Sequence, residues 1–402
     1  MHYVIVGGGI AGTTAAEELR KLVPEAEITL LSEEHHPLYS RVLLPHYIKN
    51  KVPRERVFLK KESWYEEKNI EWLQGVVAMS LDARNRFVTL SDGRELPYDK
   101  LLIASGGDAQ PPDEDRRGIS QLRTLDDADH LLQLIRELPP GARAAVHGGG
   151  FMACEYANIF QQFGIPSTVI HRGPHFWSSV LDVGSGTLIT KKLIDGGFEV
   201  KADTEITGLE GDDELEGVIT NRGAVSCHVL GVGTGLHISL DWLARAGVET
   251  KTGVCTNEFL ETTIPDVYAA GDIAEFFDVT AGHQRLAGNW MNAVSQARAV
   301  AKTMAGERTQ FRLVSSYATN VLGLEIIFVG DTNRAFADQV FLRGSEAQRG
   351  VTQLFTRQGR LVGATLVNRN ADRTAITKLI NEQTDISKQV DRWFDLTVPI
   401  TV

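Results

Sequence analysis

The sequence predicts an α/β chain that carries the same β-α-β unit twice, and three observations predict it. A β-branched run, Tyr3-Val4-Ile5-Val6, leads directly into Gly7-Gly8-Gly9-Ile10-Ala11-Gly12, spaced G-x-G-x-x-G. A helical stretch from Thr13 to Leu22 and a second apolar strand from Ile28 to Leu31 follow in the order this spacing requires. The pattern recurs at Ala145-Val146-His147-Gly148-Gly149-Gly150-Phe151-Met152-Ala153, with a helical stretch to Phe163 and a strand from Ser167 to Ile170.

Each position has a physical reason. Gly7 makes the tight turn, Gly9 lets the backbone approach a pyrophosphate, and Gly12 lets helix and strand pack closely. The helix start supplies N–H donors and the positive end of a dipole, which favour phosphate. The second copy repeats this with Gly148 and Gly150, and Ala153 replaces the third glycine at a place that needs only a small side chain. Two such loops imply two dinucleotides, most simply a tightly held flavin and an exchangeable nicotinamide. A carboxylate is expected after the second strand to hold the adenosine ribose, and of Glu33 and Glu34 the candidate is Glu33. After the second strand of the repeat stands His171-Arg172 instead. A basic pair there accepts a 2'-phosphate and cannot repel it, so the nicotinamide preference is expected not to be strictly for NADH.

The 402 residues are 43% hydrophobic and 23% charged, enough for two or three globular cores. A formal charge of -11 argues against general affinity for nucleic acid or an anionic membrane. The strand-like His2 to Val6 follows Met1 with no charged region, apolar region and cleavage site, so no signal peptide is expected. No apolar run approaches the length of a membrane span. Cys154, Cys227 and Cys255 lie far apart without a Cys-x-x-Cys pair, which fits a reducing, cytoplasmic compartment and points to no metal site.

Further motifs carry a family resemblance. Thr263-Ile264-Pro265-Asp266-Val267-Tyr268-Ala269-Ala270-Gly271-Asp272 strongly resembles the second FAD motif of the pyridine-nucleotide-disulfide oxidoreductase superfamily. The resemblance implies that Gly271 ends a strand beneath the flavin and that Asp272 accepts hydrogen bonds from the ribityl chain. Leu101 to Gly106 is similar to the family's Ala-Thr-Gly return strand, with Ser105 for Thr before Gly106, and Leu230 to Gly235 to the strand that leaves the nicotinamide domain at Gly233. Gly288 to Gln296 and Ser316 to Leu324 are similar to rubredoxin and ferredoxin reductases and to the flavoprotein part of assimilatory nitrite reductases.

That resemblance implies two Rossmann-like domains, one inserted in the other, plus a C-terminal α+β domain. FAD would be held by residues 1–110 and 233–305, NAD(P)H by 111–232, and residues 306–402 would form an interface domain. Pro111 to Asp115 and Pro139 to Gly141 supply linker and turn chemistry, and strands at Gly350 to Thr356 and Arg360 to Val367 precede a helical run from Ala371 to Ile380.

The chemistry implied is electron transfer without a thiol. Disulfide reductases of the superfamily place a cysteine beside the flavin, and here Val42 stands at one such position. Hydride would pass from nicotinamide to FAD, and electrons would go to an outside carrier such as rubredoxin or ferredoxin, a small acidic redox protein. Arg41 matches an arginine near the FAD phosphates, and Trp290 is placed against the flavin. Glu155 matches a glutamate near the nicotinamide site whose usual lysine partner is here His46. The cation-rich stretch Lys49 to Lys61 is the expected docking segment for the carrier. Two other functions share these loops: a membrane-surface NADH:quinone reductase, and a flavin-binding interaction protein that senses nicotinamide.

Overall fold

In a computed structural model the chain is described over residues 1–110 and 116–401, so the expected linker Pro111 to Asp115 lies outside the described residues. The chain divides into two compact units: Met1–Val42 with Pro53–Asp108 and His237–Leu313, and Leu43–Val52 with Ala109–Leu236 and Val314–Val402. The segment Leu43–Val52 thus groups with the second unit although its neighbours on both sides belong to the first. Its short helix, Leu44–Ile48, carries Tyr47, whose hydroxyl donates to Asp129 Oδ1 at 2.6 Å.

The first unit is built on a parallel sheet in the order Val267–Ala269, Lys100–Ile103, β1 (His2–Val6), β2 (Glu27–Ser32), Glu71–Gln74. The inner strands are continuous apolar runs because both faces are covered. Helix α1 (Ile10–Leu22) buries Ala11, Ala15, Ala16 and Leu19 in one core with Ala293, Ala297 and Val300 of the helix Trp290–Met304. Alanine on both helices lets their backbones approach, and the loop before α1 leaves the carboxyl end of the central strand β1.

The second unit repeats this plan with a parallel sheet in the order Glu199–Lys201, β4 (Ser167–Ile170), β3 (Ala144–His147), Val229–Val232, Ile119–Ser120. Helix α2 (Phe151–Gln162) joins β3 to β4. The turn expected at Pro139 to Gly141 is present, with the Ala142 N–H donating to the Pro139 carbonyl at 3.1 Å.

The same unit holds an antiparallel sheet in the order Ser316–Val321, Leu324–Gly330, Arg360–Val367, Gly350–Arg357, Gln339–Ser345. The helix Arg373–Asn381 packs Ile376, Leu379 and Ile380 on it, giving the α+β arrangement. That helix starts later than the sequence suggests. Asp372 ends a 3-10 turn because its buried carboxylate accepts from Thr352 Oγ1 at 2.7 Å and pairs with Arg343 and Arg369. Among the described residues no helix is long and apolar enough to cross a membrane, and no three metal-ligating side chains cluster.

Candidate functional site

In the first unit the loops after four adjacent parallel strands collect the predicted residues. Gly7 has φ +119, and a methyl group there would run into the Ala104 carbonyl. A side chain on Gly12 would meet the Gly7 carbonyl, whereas the space at Gly9 is open. Gly9 caps α1 without any side-chain hydrogen bond, while Thr124, Asp182 and Asn289 cap their own helices. The first N–H donors of α1 are therefore left to a ligand, and the open surface at Gly9 fits a pyrophosphate.

Glu33 and Glu34 divide their roles. Glu33 is exposed and has no side-chain partner among the described residues; burial, then the charges of Asp108 and Glu34, raise its pKa. Glu34 accepts from Arg41 Nη2 at 2.6 Å and from the Tyr39 hydroxyl. The structure therefore brings Arg41 to Glu34, half-buried, and leaves Glu33 available.

Ser105 and Gly106 leave the strand Lys100–Ile103 beside Gly7, and Gly271 and Asp272 leave Val267–Ala269. Asp272 is half-buried next to Gly288, and Trp290 is the half-buried first residue of its helix. The role of Gln296 was not legible. It is fully buried, and its Oε1 accepts the Gly271 N–H at 2.7 Å, so it fixes the turn that presents Asp272.

In the second unit Gly148 has φ +138 and lies against the Gly233 carbonyl, while Gly233 packs on Met152 and Ala153. Ala153 is fully buried, which explains why nothing larger stands there. Gly150 caps α2 without a side-chain bond, and a Cβ on it would lie 3.6 Å from the Trp177 indole nitrogen. Of the expected basic pair, only Arg172 faces outward. His171 is buried, donates from Nδ1 to the Gly173 carbonyl at 2.7 Å, and packs edge-on against Phe176. Burial lowers its pKa, which favours the neutral imidazole. Arg172 is exposed and has no side-chain partner among the described residues.

Glu155, in the second turn of α2, meets a lysine after all. Lys49 Nζ lies 3.6 Å from Glu155 Oε2, and the lysine side chain is only 8% exposed. His46 is exposed on the short helix Leu44–Ile48 and acts on Glu155 at longer range. Burial raises the Glu155 pKa; the charges of Lys49 and then His46 oppose it. Lys49 stands three residues after His46, one helical turn on, and that spacing was the available signal. Together these residues line a polar cavity of about 490 Å³ with Lys51 and Asn158.

Two dinucleotide loops, each at the carboxyl ends of a parallel sheet, define a two-nucleotide oxidoreductase. The chain belongs to the pyridine nucleotide-disulphide oxidoreductase family, whose model matches residues 1–297, and a reductase C-terminal model matches residues 319–398. It is similar to a benzene 1,2-dioxygenase system ferredoxin–NAD(+) reductase subunit of Pseudomonas putida, 29% identical over 96% of this chain and 94% of that one. It is also similar to a nitrite reductase [NAD(P)H] of Bacillus subtilis (strain 168), 28% identical over 96% of this chain, which spans only 48% of that protein. A ferredoxin reductase from Rhodopseudomonas palustris shares the architecture, with a TM-score of 0.86 and 26% identity over 98% of each chain. The chain is accordingly an FAD-dependent oxidoreductase that uses NAD(P)H.

Proposed function

We propose that the chain takes hydride from NAD(P)H and passes the electrons singly to a small iron-containing carrier protein of the ferredoxin or rubredoxin kind. The observation that carries this reading is two intact dinucleotide loops without a usable thiol. Val42, 57% exposed, stands where the thiol-dependent relatives are expected to carry cysteine. All three cysteines are buried and unpaired, and burial raises each thiol's pKa, that of Cys227 to about 12. A buried neutral thiol is neither nucleophile nor electron relay. Near-complete mutual coverage with the ferredoxin reductase subunit supports the same reading. Reduced cysteines support a cytoplasmic location.

Bound FAD supplies the conversion between hydride and single electrons. In this proposal Gly7, Gly9, Gly12, Glu33 and Arg41 hold its adenosine and phosphates. Ser105, Gly106, Gly271, Asp272 and Trp290 hold its ribityl and ring portion. Gly148, Gly150, Ala153 and Gly233 cradle the nicotinamide dinucleotide, and Glu155 with Lys49 and His46 sets the charge beside it. The proposal keeps residues 1–110 with 233–305 for FAD, 111–232 for the nicotinamide and 306–402 as the interface domain, and it assigns Leu43–Val52, which groups with the second unit, to the nicotinamide side.

The test is anaerobic reduction of the FAD-loaded chain by NADPH and by NADH, followed by mixing with ferredoxin, rubredoxin, a quinone in lipid, and oxygen. Rapid oxidation by an iron-containing carrier, faster than by quinone or oxygen, is the expected outcome. Transfer to quinone alone, or to none of the four, would overturn the proposal.

A further inference from the structure

The two β-α-β units can be compared residue by residue through strand register. In the first, Val6 precedes Gly7 and pairs with Leu31; in the second, His147 precedes Gly148 and pairs with Ile170. Counting on from those partners, Ser32 corresponds to His171 and Glu33 to Arg172.

Local contacts confirm the correspondence. Ser32 and His171 are both buried, each behind the middle glycine of its loop, Gly8 and Gly149 respectively. Each side chain also bonds the carbonyl two residues on: Ser32 Oγ to Glu34 at 2.9 Å, and His171 Nδ1 to Gly173 at 2.7 Å. The same turn therefore pushes the intervening residue outward in both units. Glu33 and Arg172 are both exposed, and neither has a side-chain partner among the described residues.

At this place a carboxylate accepts hydrogen bonds from a ribose 2'-hydroxyl, whereas a guanidinium has no acceptor and pairs with a 2'-phosphate. We infer that Arg172 reads a 2'-phosphate on the adenosine of the exchangeable nucleotide, so that NADPH rather than NADH is the preferred hydride donor. His171 takes no part in the recognition; it is the buried prop of the turn. The remaining cation is not spent internally. Asp203 and Glu205 lie near enough to His171 and His147 to favour their protonated forms, yet neither forms an ion pair with Arg172 among the described residues. The Arg172 charge is itself felt at His147, whose pKa is lowered by burial and then by that guanidinium. The Arg172 side chain itself stays exposed. The inference rests on the proposed nicotinamide-dependent reading, and it names which nicotinamide.

Calorimetry of the FAD-loaded chain with adenosine 2',5'-bisphosphate and with 5'-AMP isolates the 2'-phosphate without turnover. The bisphosphate should bind about tenfold tighter or more, as a charge-assisted contact to phosphate requires. Arg172→Gln should abolish the ratio, Arg172→Glu should reverse it, and His171→Asn should leave it standing. The kcat/KM ratio for NADPH over NADH should follow the same order. Equal binding of the two probes by the native chain, or an unchanged ratio in Arg172→Gln, would overturn the inference. A chain that shows the preference but reduces no carrier overturns the proposed function alone; one that reduces a carrier without the preference overturns this inference alone.

Discussion

Burial and a neighbouring ammonium pull the Glu155 carboxyl in opposite directions. Burial wins, so its pKa stands above the ordinary carboxylate value, and the Lys49 ammonium is the larger of the charges that hold it down. A carboxyl whose folded pKa exceeds its unfolded value stabilises the fold only when protonated, and that contribution is lost as pH rises through the folded pKa. In Lys49→Gln the opposing charge is gone, so the Glu155 titration should move to higher pH and the loss of stability toward neutral pH should grow. Carbon-13 NMR of the Glu155 carboxyl, with denaturation midpoints across the acid range, measures both; a titration unchanged in Lys49→Gln would refute the pairing. This is also where sequence reading reached its limit at the residue scale. Position 46 is fixed by likeness to relatives, but that a cation one turn later turns inward onto α2 is a tertiary fact. The role of His171 was hidden for a similar reason, since helix and loop lengths differ between the repeats and only strand register aligns them.

The helices after both glycine loops begin without a side-chain cap, and a capped helix supports one of those loops. The helix Trp290–Met304 is capped by Asn289, which accepts from the Asn292 N–H at 2.9 Å, and it carries Gln296 beneath the Gly271 turn. Gln296→Leu leaves the buried Gly271 N–H without an acceptor, which costs about 1–3 kcal/mol. Gln296→Glu retains an acceptor oxygen. The expected result is lower stability in chemical denaturation and loss of FAD on dialysis for Gln296→Leu, with partial rescue by Gln296→Glu; equal FAD retention by both would remove Gln296 from the support of the site. Elements of this kind were readable because glycine spacing, small residues and strand periodicity are local properties. The β-α-β units, the paired strands Gly350–Arg357 and Arg360–Val367, and the helix after them were all legible in that way. The start of that helix was not, because the buried bonds of Asp372 come from distant strands. Nor was the grouping of Leu43–Val52 with the second unit, which no local signal announces.

Across the whole molecule the charge is -11, so an acidic carrier must find a local exception to the net repulsion. The cation-rich stretch Lys49 to Lys61 is less uniform than its sequence suggests. Lys49 is buried against Glu155; Lys60 pairs with Glu17 at 3.0 Å and lies 4.0 Å from the centre of the Trp64 ring; the Arg54 guanidinium lies over Phe58. Arg56 and Lys61 remain exposed in the first unit, flanking the buried Val57. These two are the residues to test as carrier contacts. The double change Arg56→Gln with Lys61→Gln should lower the second-order rate of carrier reduction by about threefold or more at low ionic strength, where charges attract over the longest range. The deficit should shrink as salt is added and the Debye length falls to about 8 Å near physiological strength. Flavin reduction by the nicotinamide should keep its rate, because neither residue belongs to either glycine loop. Stopped-flow mixing of the reduced protein with its carrier across a salt series separates these steps. A rate with the same salt dependence as the native chain would show that attraction of the carrier arises elsewhere on this acidic surface.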